Sequence, residues 1–376
     1  MSLLVNFAKE MVAEAGREYH HLRVRALDSM GFLTYRCTCR CRTCTIWKRE
    51  GEGGDELDLE RWRTVIERLA SYGVRSFEVF GGDALLRKDV IFDLIRHCQA
   101  HGIETYFPTN ANLCDQETVR ELIDAGLGTV YLSIDDVEEA HDEVRGVDGT
   151  FARVRQTLDD FCRLRGDGTR PNIIVCVTLS KMNFRNFPRL IEFLEGYPVN
   201  AVYPRPLGEF SVANVEASTI DGLVPEPYFS PSDGESHLMD RQELEEMRAM
   251  ISRVRNAPRK VYINWRSYYS TTDETFLHGT YPHRHCHIAT SFVTVNPNGD
   301  VVPCPFFRQY VLGNLAESPL EDLWGNEKHR RFVKLQQDGN FPICKNCNMR
   351  VYYPSFRETF DYYIQRCLER SGVKKI

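Results

Sequence analysis

Long apolar runs are missing from this chain. No segment of its 376 residues stays apolar for the length a membrane helix needs. The opening MSLLVNFAKEMVAEAGRE lacks a basic stretch followed by a long apolar core, which argues against a secretory signal. Leu3, Leu4, Phe7 and Met11 instead share one face of a short amphipathic helix, suited to docking on the body of the protein. An excess of basic charge is missing as well: the net charge is −6, and the basic runs 61–68 and 328–334 are broken by acids and apolar residues. Such runs read as solvated helix faces, so no nucleic-acid partner is expected. There is no internal repeat, no low-complexity tract and no dinucleotide-binding glycine fingerprint after the first strand-like run. The expectation is a cytoplasmic globular protein of ordinary composition, 42% hydrophobic and 27% charged, without a transmembrane segment.

Cysteine, by contrast, is plentiful. Thirteen cysteines, several of them clustered, point in a reducing compartment to metal or redox chemistry rather than disulfides. They interrupt a regular pattern. Strand-like runs at 31–35, 76–80, 103–107, 129–134, 173–178 and 201–204 alternate with helical spacing at 57–72, 88–101, 115–125, from 134 to about 165, and at 187–196. Such alternation predicts parallel strands joined by crossovers, and six units predict an α/β fold, a partial (β/α)6 TIM-like barrel. The unusual residues fall at strand ends (37–44, 81–83, 109–112 and 135), where barrel enzymes place their chemistry. Residues 207–238, rich in Pro, Gly, Ser and acids, read as a long connection before a helix at 241–256. An Asn-Pro-Asn-Gly turn at 296–299, flanked by Val293, Val295, Val301 and Val302, predicts a hairpin. The expected divisions are an N-terminal helix or extension at 1–29, the barrel at 30–206, a connecting segment and helix at 207–282, a small cysteine-rich α+β domain at 283–350 and a C-terminal helix at 351–376.

Cys37, Cys41 and Cys44 form C-x3-C-x2-C in the loop after the first strand. Three thiolates hold three irons of a cubane and leave the fourth open, which is what a substrate-activating cluster needs. The alternative is structural zinc on Cys37, Cys39, Cys41 and Cys44. Four ligands within eight residues leave little chain to wrap a tetrahedral ion, which usually joins two separated pairs. Cys39 is surplus to the three-cysteine pattern.

This cysteine set resembles that of the radical S-adenosylmethionine (SAM) superfamily. In that family the open iron chelates SAM, and reduction cleaves SAM to methionine and a 5′-deoxyadenosyl radical that abstracts a substrate hydrogen atom. The residue before the last cysteine is often aromatic in the family and is Thr43 here; Trp47 is the nearest replacement ring. Further along, Gly81-Gly82-Asp83-Ala84 resembles the family's Gly-Gly-Glu-Pro turn, whose backbone holds the SAM amino group. Thr109-Asn110-Ala111 resembles Thr-Asn-Gly, and Ser133-Ile-Asp-Asp136…His141-Asp142…Arg145-Gly146 resembles Ser-x-Asp-Gly…His-Asp…Arg-Gly. The resemblance implies cofactor-binding roles for Gly81, Gly82, Asp83, Asn110, Ser133 and Arg145. A surface Arg145 and helix capping by Asp135 or Asp136 are the alternative.

Cys286 and Cys304 flank the hairpin, and Cys344-Lys-Asn-Cys347 follows as C-x2-C. Two separated pairs also suit a zinc ribbon. With the intervening sequence they resemble the SPASM or shorter twitch modules of the superfamily, which implies a second, auxiliary [4Fe–4S] cluster on Cys286, Cys304, Cys344 and Cys347. Only Cys367 follows, so one auxiliary cluster is expected. His283, His285 and His287 stay unassigned, and Cys98, Cys114, Cys162 and Cys176 are expected to be buried structural thiols.

The resemblance implies a radical SAM oxidoreductase with SAM and two [4Fe–4S] clusters as cofactors and a flavodoxin- or ferredoxin-type electron donor as partner. A closed auxiliary cluster suits a two-electron oxidation of a small molecule, and such a step needs a base. Arg205, Tyr203, Arg266 and Tyr268 are candidates among which the sequence does not choose. The small substrate is favoured by the short stretch before the first strand, which leaves no room for a peptide-recognition domain. Peptide or protein side-chain modification, redox-neutral epimerisation with a cysteine returning the hydrogen atom, and a non-catalytic iron–sulfur or zinc protein remain alternatives.

Overall fold

A computed structural model describes residues 26–49, 55–269, 271–282, 286 and 288–349, with isolated positions at 8, 12, 360, 363 and 364. The expected N-terminal helix, the histidines around Cys286 and Cys367 lie outside the described residues. Six parallel strands carry the larger part: β1 (Asp28–Phe32), β2 (Ser76–Phe80), β3 (Glu104–Thr109), β4 (Thr129–Ser133), β5 (Asn172–Leu179) and β6 (Ala201–Pro206). Each pairs in parallel with the next, from Met30 beside Glu78 to Cys176 beside Tyr203. The helices between them are α1 (Leu59–Tyr72), α2 (Lys88–Ala100), α3 (Gln116–Asp124), α4 (Glu138–Arg145), α5 (Thr150–Arg165) and α6 (Phe187–Leu194). The result is a partial barrel, open rather than closed.

Local sequence explains the boundaries. Asp58 caps α1 by accepting from the Arg61 N–H at 2.9 Å, and Gly73 ends it in the left-handed region at φ 97°. Asp115 caps α3 in the same way, from the Thr118 N–H at 2.9 Å. Trp62, Val65, Ile66 and Leu69 form the buried stripe of α1 that packs on the sheet.

Strand alternation separates two faces. Phe77 and Val79 of β2, and Val175 and Val177 of β5, are fully buried toward the helices. Their neighbours Glu78 and Cys176 point to the concave side instead, so Cys176, expected to be a buried structural thiol, is half-buried and faces a chamber, and Cys162 is half-buried on its helix. Cys98 and Cys114 are buried as expected.

The sheet continues past β1. Strand β7 (Phe292–Val295) runs parallel to β1 and turns into β8 (Asp300–Val302), which pairs with β9 (Gly313–Asn314). The sheet order is therefore β6-β5-β4-β3-β2-β1-β7-β8-β9. Beyond it, α7 (Arg241–Asn256) belongs to the connecting segment and α8 (Glu327–Gln337) to the C-terminal region. This topology places the second cysteine region beside the strand that feeds the first. Tyr35 Oη donates to Asn296 Oδ1 of the hairpin turn at 2.9 Å, so one contact ties them together.

Candidate active site and cluster sites

The first cysteine loop, 37–44, is held on three sides. The Arg40 and Arg42 N–H groups donate to the Arg145 and Val144 carbonyls at the end of α4, at 3.0 and 3.1 Å. Gly146 follows with φ 68°, and a Cβ there would stand 2.3 Å from the Arg40 oxygen, so only glycine admits this docking. The Gly82 and Asp83 N–H groups donate to the Thr34 and Arg36 carbonyls at 2.9 and 2.8 Å. A Cβ on Gly82 would lie 2.2 Å from the Arg36 oxygen. On the third side the Thr45 N–H reaches the Tyr228 carbonyl at 2.9 Å, drawing the connecting segment over the loop.

Polar side chains surround the cysteines. Thr38 Oγ1 donates to Asp83 Oδ2 at 2.5 Å and lies 3.3 Å from both Asn110 Nδ2 and Asn112 Nδ2. Asn110 and Asn112 also approach the sulfurs of Cys37 and Cys39, at 3.9 and 3.3 Å. Ala111 between them has φ 67°, the conformation that glycine takes more easily. Burial pushes the Asp83 carboxyl above its ordinary range.

Arg145 is neither a surface residue nor alone. Its Nη2 pairs with Asp135 at 2.8 Å and its Nη1 lies 3.9 Å from the Cys41 sulfur, while its Nε is buried without a hydrogen bond. A hydrogen bond from Cys39, then the charge of Arg145, hold the Cys41 thiol down at about 7. Burial pushes Cys37 and Cys44 up to about 12. A metal taking these thiolates must therefore displace protons as it binds.

The other residues of that stretch mostly serve the fold. Asp136 accepts from the Val137 N–H at 2.8 Å at the start of α4, and Asp142 accepts from Gly149, Thr150 and Phe151 at the start of α5. His141 is fully buried, and burial brings its imidazole down to about 3. Ser133 stands half-buried at the end of β4, beside Cys176 of β5.

Cys286, Cys304, Cys344 and Cys347 converge on one cavity whose other walls include Phe306, Phe307, Phe332 and Ile343. Asn346, inside the C-x2-C turn, anchors it: its Nδ2 donates to the Gly279 carbonyl at 3.0 Å and its Oδ1 accepts from Asn214 at 2.7 Å. The Ile343 N–H donates to Ser218 Oγ at 2.9 Å. Burial pushes Cys304 up to about 12, and Cys344 and Cys347 higher still.

Tetrahedral zinc with Zn–S bonds near 2.3 Å draws its sulfurs to about 3.8 Å of one another. Among the described residues, only Glu67, His97 and His101 bring three such donor atoms within 4.8 Å. No three sulfurs of either cysteine set lie within that distance of one another.

The concave face of the barrel completes the site. Tyr106, Tyr131 and Tyr203 form a wall, with ring centroids 6.2 and 6.3 Å apart, and Arg205 lies over Tyr203 at 6.0 Å. Of the candidate bases, Tyr268 is instead packed between Trp265 and Phe276, and burial pushes its phenol upward. Sequence reasoning passed over Glu78, whose signal was an acid set among Phe77, Val79 and Phe80 at the centre of a strand.

Residues 32–194 match the model of the radical SAM superfamily, and residues 286–348 match SPASM, an iron–sulfur cluster-binding domain. The chain is similar to the Fe-coproporphyrin III synthase of Methanosarcina barkeri (29% identity) and the PqqA peptide cyclase of Methylocella silvestris (34%), over 43% and 35% of its own length. Those matches span only 39% and 36% of the two relatives. Similarity to the AdoMet-dependent heme synthase of Methanosarcina barkeri is lower, at 25%, but covers 91% of this chain and 96% of that enzyme. Among solved structures, anSMEcpe with bound AdoMet and a peptide shares the fold at TM-score 0.61 and 17% identity, covering 93% of this chain and 99% of that one.

Proposed function

We propose, on the premise that this chain is a radical SAM enzyme with a C-terminal SPASM domain, that it oxidises a small molecule by two electrons in the barrel chamber. In this reading Cys37, Cys41 and Cys44 hold the cluster that binds SAM, and Cys286, Cys304, Cys344 and Cys347 hold an auxiliary [4Fe–4S] cluster. SAM on its cluster supplies a 5′-deoxyadenosyl radical that takes a hydrogen atom from substrate.

The chain's own residues do the rest. Asn110, Asp83 and the Asp135–Arg145 pair line the cysteine loop and offer donors and acceptors to an amino acid-like ligand there. Gly81 and Gly82 keep the loop against β2, and Ser133 faces the space beneath it. Tyr228 sits over Phe32 and Phe80 and touches Phe306, with centroids 6.2, 6.2 and 5.3 Å apart. This aromatic layer excludes water between the chamber and the second cysteine site.

The observation that carries the reading is the convergence of four thiols on one largely apolar cavity, a ligand set that would complete a cluster without substrate. That suits electron acceptance rather than binding. A small substrate is supported by similarity to the heme synthase over nearly its whole length. A peptide substrate is the second reading, supported by similarity to PqqA peptide cyclases, at 34% identity over 35% of this chain and at 25% over 85% of it.

The test is a Cys304→Ala/Cys344→Ala variant of the reconstituted holoenzyme. Reductive cleavage of SAM continues while oxidised product disappears. Product formation at the wild-type rate would reject the electron-accepting role.

A further inference from the structure

Glu78 occupies the middle of β2, between Phe77 and Val79, which are fully buried against the helices. Alternation turns its carboxyl into the barrel chamber. Among the described residues no hydrogen bond or ion pair reaches that carboxyl; the charge it feels is that of Arg205, across the chamber on β6. The side chain is half-buried, so this carboxyl opens to the chamber and is accessible to a ligand group there.

We propose that Glu78 is the base that removes the substrate's second hydrogen as a proton, and that Arg205 receives a carboxylate of the same substrate. This rests on the oxidation reading above and sharpens it. The substrate class is a carboxylate carrying a hydroxyl or amino group on the carbon that loses hydrogen, with a flat apolar part against Tyr106, Tyr131 and Tyr203.

The surrounding groups leave this task to Glu78. From β3 and β4 the chamber receives Tyr106 and Tyr131, from β5 Cys176, from β6 Tyr203 and Arg205, and from β1 the uncharged Met30. Burial raises the Tyr131 phenol and pushes the Cys176 thiol up to about 11, so both keep their protons at neutral pH. Burial likewise pushes Glu78 up to about 7, partly opposed by Arg205, which suits a base working near neutrality.

The bonds balance. The substrate loses one hydrogen atom to the deoxyadenosyl carbon, one proton to a Glu78 oxygen and one electron to the auxiliary cluster. A C–H bond and an O–H or N–H bond break, and a C=O or C=N double bond forms.

Two measurements test this. Isotope-edited infrared spectroscopy on protein with 13C-labelled glutamate shows a carboxyl band that titrates near neutrality and vanishes in Glu78→Gln. A Glu78 band titrating in the ordinary carboxylate range overturns the proposal whatever the substrate. The holoenzyme is then given SAM, dithionite and a panel of hydroxy and amino acids, including 3-phenyllactate and phenylalanine. Wild type yields products lighter by two hydrogens. Glu78→Gln forms on the order of a hundredfold less product per deoxyadenosine released, and Glu78→Asp recovers part of it. Equal product from Glu78→Gln overturns the role of Glu78 alone. Wild-type conversion without loss of hydrogen, or no conversion across the panel, overturns the substrate and base assignments; a retained neutral band then locates the failure in the oxidation reading.

Discussion

Around Cys37, Cys41 and Cys44 stand Thr38, Asp83, Asn110, Asn112 and Arg145; around Cys286, Cys304, Cys344 and Cys347 stand Phe306, Phe307, Phe332 and Ile343. The first set is three thiols in a loop suspended from backbone hydrogen bonds, with a charged pair at its edge. The second is four thiols enclosed by rings, fixed by a buried asparagine within the C-x2-C turn. Elementary coordination chemistry gives these different uses. An incomplete ligand set amid hydrogen-bonding groups admits a polar ligand, while a complete set in an apolar pocket passes electrons and excludes exchange.

The sharpest way to break that contrast is at Gly82. An alanine Cβ there would lie 2.2 Å from the Arg36 carbonyl, so the loop must move. Gly82→Ala therefore loses the iron of the first site and SAM cleavage, and keeps the iron of the second, as iron analysis will show. Equal loss at both sites would mean that the two are not independent.

Removing the charge at the edge of the first site comes next. Arg145→Met leaves Asp135 buried without its cation, which costs about 3–5 kcal/mol of stability. Chemical denaturation measures this, and a loss under about 1 kcal/mol would show the pair to be solvated instead.

Glu78 gives the smallest effect, and its sign depends on pH. Its folded value of about 7 lies above its ordinary 4.5. The folded protein therefore holds a proton that the unfolded chain releases across that window, and stability falls as pH rises through it. Glu78→Gln carries no such proton, so its stability relative to wild type grows from pH 5 to pH 8, by at most about 3 kcal/mol. A difference that stays flat with pH contradicts the buried position.

Much of this was legible in the sequence. The strand at Ser76–Phe80 and the helix at Arg241–Asn256 have the boundaries that periodicity predicts, because their apolar stripes and caps are local. The cysteine spacings likewise announced metal chemistry. Lateral relations were not legible. Helix capping by Asp135 or Asp136 and a surface Arg145 stood as the alternative to a site, yet Asp135 pairs with Arg145 one helix later. Cys176 read as a core thiol, yet strand alternation turns it to the chamber beside Tyr203. Glu78 was visible only as an acid set among Phe77, Val79 and Phe80, and which face it takes depends on where the helices pack. The convergence of four cysteines spread over 62 positions (286 to 347) depends on Asn346 and Ile343 reaching Asn214 and Ser218 of the connecting segment, which no spacing rule encodes.

The central claim is that one chain holds two independent clusters on these two cysteine sets. Its most direct test is iron and sulfide per chain after anaerobic reconstitution, in wild type and in a Cys37→Ala/Cys41→Ala/Cys44→Ala variant. Two clusters give about eight irons falling to about four, with the remainder lost on changing Cys304 and Cys344. About four irons falling to none, with zinc in both samples, would make the second site structural and contradict it.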